Sequence, residues 1–186
     1  MSKVSLKPAS ALCPVPVILV TTADGVRKTN VLTLAWAGTV CSVPTMVGIS
    51  VRPSRYSHEL LKANGEFVVH IPTERLLWAA DRCGTLSGRD GNKFDAAGLT
   101  PIPAQKVKAP LIAECPIAME CVVRQVIPVG SHDLFLGEIV ALHADEDVLD
   151  ESGKIDPNRI SPIAYVQAEY WGLRERIGLY AYIKKQ

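Results

Sequence analysis

The chain has 186 residues, 48% of them hydrophobic and 6% aromatic, with 20 Lys and Arg against 19 Asp and Glu and a formal charge of +1. This length gives enough material for one aliphatic core and argues for one domain over residues 1–186. A near-zero charge with pI about 7.6 leaves no electrostatic footprint for nucleic acid or an anionic membrane, so any bound anion must be gripped locally.

The N-terminus, Met1-Ser-Lys-Val-Ser-Leu-Lys-Pro, lacks the continuous apolar stretch of a secretion signal. No later stretch reaches membrane-spanning length without charge or Pro, and the expected location is the cytoplasm. Short apolar runs cover residues 15–22, 31–41, 46–51, 67–71, 117–127, 134–143 and 177–183. Their length and β-branched content predict a mainly β protein, with antiparallel strands closed into a barrel or sandwich. Asp24-Gly25 marks a hairpin turn between the first two runs, and Pro44, Pro53, Pro72, Pro116 and Pro128 mark run edges. Helical spacing over 54–64 and 73–83 predicts two short helices, with Ser54 and Thr73 as N-caps and Gly65 and Gly84 as C-caps. The polar, Gly- and Asp-rich stretches 84–100 and 145–161 read as loops.

The five cysteines (Cys13, Cys41, Cys83, Cys115, Cys121) are odd in number and lack CxxC spacing, which argues against a disulfide framework or structural zinc. His58, His70, His132 and His143 show no metal-ligand spacing, so no metal site is expected. Hydrolytic chemistry finds no GxSxG elbow. Arg52-Pro-Ser-Arg-Tyr-Ser-His follows a strand and opens a helix, so helix-end amides, two guanidinium groups and hydroxyls gather where an anion would sit. A solvated helix end is the competing reading, and weaker binding of a phosphorylated ligand by Arg52→Ala or Ser57→Ala would decide between them. The segment Ser87-Gly-Arg-Asp-Gly-Asn-Lys-Phe permits close backbone approach and brings Lys93, although it lacks the P-loop GK[ST] ending. A mobile surface loop is its alternative. His132 reads as a structural hydrogen bonder or a site residue. Trp36, Trp171, Tyr165 and Tyr170 are planar groups suited either to core packing or to covering a ring.

These stretches, with Pro16-Val-Ile-Leu-Val-Thr-Thr-Ala-Asp-Gly, Asn30-Val-Leu-Thr-Leu-Ala-Trp, Gly65-Glu-Phe-Val-Val and Gly130-Ser-His-Asp-Leu-Phe-Leu-Gly-Glu, follow one another in the order of the flavin reductase-like and flavoredoxin family. The chain resembles that family over most of its length. The resemblance implies an FMN-binding split β-barrel, mainly β with short helices. It also implies a homodimer with FMN in a groove near the subunit interface. Asn30 and Trp36 match flavin contacts, and Cys41 and Ser42 fall near the isoalloxazine edge. Arg52, Ser54 and Ser57 match the phosphate and ribityl loop, and Lys93 a second cationic anchor. His132 matches a ring-side or nicotinamide-side residue, the one catalytic candidate, and Tyr165 an aromatic neighbour of the ring.

The implied activity is an oxidoreductase that uses NADH or NADPH to reduce flavin or ferric acceptors through FMN. Ser131 stands where flavin reductases often carry Asp before the histidine. That departure leaves open a flavoredoxin-type carrier reduced by a redox protein partner, and a non-catalytic flavin or haem binder is the third alternative.

Overall fold

The structure, a computed structural model, describes residues 1–186 apart from Arg27, Leu179 and 181–186. In chain order the elements are β1 (Val15–Pro16), β2 (Ile18–Ala23), β3 (Thr29–Leu34), β4 (Ala37–Ser42), β5 (Thr45–Val51), α1 (Tyr56–Asn64), β6 (Glu66–Ile71), α2 (Leu77–Thr85) and α3 (Lys93–Ala97). They continue with β7 (Pro101–Ile102), β8 (Leu111–Ile112), β9 (Ile117–Pro128), β10 (Asp133–Ala144), β11 (Ile163–Val166) and β12 (Glu169–Gly172). Among the described residues no helix is long and apolar enough to cross a membrane.

One antiparallel sheet carries the fold, in the order β3-β2-β6-β9-β10-β5-β4. Its two edge strands, β3 and β4, are joined by only Ala35 and Trp36. Three residue steps span at most about 11 Å, so the opposite edges must lie close together and the sheet must curl into a barrel. The seam is not zipped, because β3 and β4 do not pair with each other. The run 31–41 is therefore two strands rather than one, and Trp36 stands at the corner between them.

Both faces of β2 and β3 are covered, which explains continuous apolar runs where a half-exposed sheet would alternate. Ile18, Val20 and Leu32 pack inside the barrel with Ile49, Phe67 and Phe135. Val17, Leu19 and Val31 point the other way, against Ala80 and Cys83 of α2 and Phe94 of α3. A second small sheet, β1-β11-β12, is tied to this outer layer where the Val17 amide donates to the Ile163 carbonyl at 3.0 Å.

Local signals held in part. Gly65 ends α1 at φ +68°, its amide bonded to the Leu61 carbonyl. The start of α1 differs: Arg55, not Ser54, is the N-cap, and no side chain caps it. Thr73 precedes a 3₁₀ turn over Glu74–Leu76 and makes no side-chain cap bond. Gly84 lies inside α2, which runs on to Thr85 with Leu86 as its cap. Stretch 84–100 is not all loop, because α3 forms where Asn92 Oδ1 accepts the Phe94 amide at 3.0 Å and Phe94 and Ala97 bury against the outer layer. The run 177–183 falls mostly outside the described residues.

A fully buried histidine helps pin the barrel. His70 accepts the Ile112 amide on Nε2 at 3.0 Å, so its ring proton sits on Nδ1 facing the Leu19 carbonyl at 3.3 Å. Burial pushes this ring down to about 4, against the opposing pull of the bond to Leu19. The folded value lies below the ordinary value of about 6.5, so the unfolded chain takes up the proton first. Stability is therefore full above about pH 6.5 and falls as pH drops toward 4, by about 2 kcal/mol at pH 5. Urea unfolding at pH 7.5 and pH 5 is expected to show that loss, and a His70→Asn variant to lack it.

Candidate flavin site

The first half of the site is a pocket of about 270 Å³ where α1, β3 and the Gly-rich loop meet. It is lined by Arg52, Ser54, Arg55, Ser57, Asn30, Lys93 and the backbone from Leu86 to Arg89, among others. Asn30 Nδ2 donates to Ser57 Oγ at 2.8 Å, and Thr22 Oγ1 donates to the same oxygen at 3.1 Å, which fixes the first turn of α1 against β2 and β3. Because no side chain caps α1, its positive end is left to an anion. Arg89 folds the Gly-rich loop over that end, donating to the Ser54 carbonyl at 3.0 Å, pairing with Glu59 and lying over the Tyr56 ring at 5.5 Å. Gly88 makes the closure possible: a Cβ there would meet Asn30 Oδ1 at 2.3 Å and Tyr56 Cδ1 at 2.7 Å.

Lys93 is 5% exposed, and its ammonium donates to the Cys83 carbonyl at 2.5 Å. Burial lowers it to about 8, with Cys83 opposing and Arg55 adding to the shift. A cation so poorly solvated, in a pocket shared with two arginines, gains on meeting a dianion. Cys83 lines the same pocket, but burial pushes its thiol up to about 11, so it stays protonated and is no nucleophile.

The second half is a cleft of about 610 Å³. It shares Thr33, Arg52, Arg55 and Gly84 with the first pocket, so the two form one groove. Its walls are aromatic on one side: Tyr165 meets Trp36 edge-on at 6.0 Å and Tyr170 at 6.2 Å. The Tyr170 hydroxyl donates to Asp81 at 3.0 Å, and burial together with that carboxylate pushes it up to about 12. On the other side, His132 Nε2 accepts from Arg52 Nε at 3.4 Å, leaving the ring proton on Nδ1 beside Ser131 Oγ at 2.9 Å. Burial and the neighbouring Arg52 both lower the His132 pKa, so the ring is neutral at pH 7. The next residue, Asp133, bonds His58 of α1 at 2.8 Å and ties the start of β10 to that helix.

The groove therefore gathers Asn30, Trp36, Arg52, Ser54, Ser57, Lys93, His132 and Tyr165. Cys41 and Ser42 lie on the edge strand β4 and line neither half, and the Cys41 thiol faces the Val43 carbonyl at 3.3 Å. Arg55, Thr33, Ser50, Asp81 and Arg89 line the groove without having been singled out. Arg55 was legible, being the second guanidinium of the strand-to-helix segment. Asp81 was not, because nothing in its helical surroundings distinguishes it. Trp171 is half-exposed and outside the groove, its indole donating to Glu169 at 3.1 Å. Among the described residues no group of three His, Cys, Asp or Glu is arranged to hold a metal.

The barrel thus carries a cationic pocket at a helix end with an aromatic cleft beside it, and comparison with known proteins gives its family. The model of the flavin reductase like domain matches residues 10–174, and the chain belongs to that family. Its fold is the family's split barrel, mainly β with short helices. It is similar to the flavoredoxin of Desulfovibrio vulgaris (Miyazaki F), with 32% identity and TM-score 0.91 over 97% of this chain and 98% of that one. It is also similar to nitrilotriacetate monooxygenase component B from Bacillus cereus, with 25% identity and TM-score 0.88 over 96% of this chain and 100% of the other. An FMN-binding protein from Thermus thermophilus shares the fold at 23% identity and TM-score 0.81, over 96% and 99%.

Proposed function

We propose that this protein is an FMN-dependent oxidoreductase that takes electrons from NADH or NADPH and passes them to flavin or ferric acceptors. The observation that carries this reading is the single groove with a buried lysine and two arginines at one end and Trp36, Tyr165 and His132 at the other. The residues fit FMN: Lys93, Arg52, Arg55, Ser54 and Ser57 would hold the phosphate, Asn30 and Thr33 the ribityl chain, and Trp36, Tyr165 and His132 the ring. When bound, FMN supplies the electron transfer, so the protein needs only to bind and orient it and to keep water from it. His132, neutral with its proton on Nδ1, presents an acceptor nitrogen already engaged by Arg52, and its part is to hold polar groups near the ring.

The likeness to flavoredoxin and the Ser131 departure favour a second reading, a carrier reduced by a redox protein partner. The family's groove-at-the-interface arrangement extends the proposal to a homodimer, consistent with exposed Val40 on the β4 edge and Val43 in the turn after it, and the location we propose is the cytoplasm. The test is to load the protein with FMN, remove the excess, and record the visible spectrum before and after anaerobic NADH or NADPH. Retained flavin bands that bleach with either nucleotide are the expected result. Retained bands that do not bleach select the carrier, and a colourless protein overturns both.

A further inference from the structure

Beyond the groove, and resting on the flavin reading of it, a second chamber of about 750 Å³ opens on the far side of Trp36. It shares Ser10, Ala35, Trp36, Ser50 and Tyr165 with the cleft, so whatever fills it lies against the same aromatic wall. Its own lining is Ala9, Ala11, Leu12, Val15, Ala37, Leu134, Gln167 and Ala168. Among the described residues that line it, none carries a charged side chain, and its side-chain hydrogen-bonding groups are the Ser10, Ser50 and Tyr165 hydroxyls, the Gln167 amide and the Trp36 indole N–H. The cleft next door holds Arg52, Arg55, Asp81 and His132, and the pocket beyond it adds Arg89 and Lys93. Cations thus gather at one end of a continuous cavity and are absent from the other.

We propose that this chamber is the acceptor site and takes a neutral, flat, mainly apolar molecule of about two fused rings, a class outside the flavin and ferric acceptors considered above. Its volume falls in the range of about 300–1,000 Å³ that small-molecule sites occupy, and its few polar groups suit one or two oxygens on the ligand edge. An anionic ligand would find no counter-charge among Ala37, Leu134 and Val15, so the lining favours a neutral one. The anionic occupants of the groove and the neutral occupant of the chamber then meet across Trp36 and Tyr165 without competing for one charge environment.

The chamber can be probed with two fluorescent molecules that differ only in charge, 2-naphthol and 2-naphthol-6-sulfonate, by equilibrium dialysis against the FMN-loaded protein. The neutral probe is expected to bind at least about tenfold more tightly than the sulfonate. Ala37→Asp, and independently Leu134→Asn, are expected to weaken 2-naphthol about tenfold while the flavin spectrum stays unchanged. Equal or tighter binding of the sulfonate, binding indifferent to both substitutions, or no binding of 2-naphthol, as when a second copy of the chain fills the chamber, overturns the proposal. Flavin content is read separately from the visible spectrum. A protein that rejects FMN yet shows the expected preference when dialysed without it keeps the chamber as a neutral-ligand site but refutes the flavin reading and the acceptor role that rests on it, and the converse result refutes the chamber alone.

Discussion

A Lys93→Met variant is expected to bind FMN about tenfold to a hundredfold more weakly at pH 7, the equivalent of roughly 1.5–3 kcal/mol for a charge-assisted hydrogen bond. Lys93 is almost fully buried at the start of α3, donates to the Cys83 carbonyl and lines the pocket with Arg52 and Arg55. Methionine keeps the aliphatic stem, which packs in the outer layer, and removes only the ammonium. A purely structural lysine would leave affinity untouched, and the pH dependence separates the two roles. Burial holds the free ammonium at about 8, so below that pH the site is already charged for a phosphate dianion. Above about 8 each unit of pH costs the wild type up to about tenfold in affinity, because the proton must be taken back on binding. The methionine variant should show a flat profile over the same range in a flavin fluorescence titration. A wild-type profile that is equally flat would mean that Lys93 does not face the phosphate.

How much of this site could be read from residues alone depends on the range over which each signal acts. The strand-to-helix segment with Arg52, Ser54 and Ser57 is contiguous, and its chemistry follows from local order once a helix is known to begin there. Lys93 required a second segment to fold back, and the Gly-rich composition that permits this also disguised α3 as loop: five residues are too few to display a helical period, and Asn92 is the only marker of its start. β12 pairs locally with β11, but the docking of that hairpin on β1, which sets Tyr165 and Tyr170 in the cleft wall, depends on contacts between residues 150 positions apart in the register Val15↔Tyr165. No periodicity in residues 163–172 announces it. The corner at Ala35 and Trp36 was invisible for a related reason, since the apolar pattern runs through it while the chain passes from one edge of the sheet to the other. Cys41 and Ser42 were expected near the ring from the family resemblance, and the turn at the corner carries them along β4, where they line neither half of the groove.

Glu120→Leu is expected to cost roughly 3–6 kcal/mol, a large share of the roughly 5–15 kcal/mol that stabilises an ordinary domain. The Glu120 carboxylate, in the middle of β9, is fully buried and accepts three consecutive backbone amides: Gln105 on Oε1 at 2.8 Å, and Lys106 and Val107 on Oε2 at 2.6 and 3.0 Å. His143 of the neighbouring β10 completes the set, its Nε2 2.6 Å from Oε1. Burial by itself would raise this carboxyl, but the amides and His143 outweigh it and hold it below its usual range. Its stabilisation is therefore present above the unfolded value and is lost as pH falls through the lower folded one. Leucine fills the space and leaves all three amides without an acceptor, at about 1–3 kcal/mol each less whatever water recovers. Glutamine discriminates further. With its carbonyl at the Oε2 position it keeps Lys106 and Val107, but its amide nitrogen then faces the Gln105 N–H, donor to donor. Glu120→Gln should accordingly lose about 1–3 kcal/mol in chemical denaturation. Residues 105–107 do not line the groove, so flavin retention in the glutamine variant should match the wild type. If the leucine variant unfolds at the wild-type denaturant concentration, the three amides find other acceptors, and the carboxylate is not what holds residues 105–107 to the barrel.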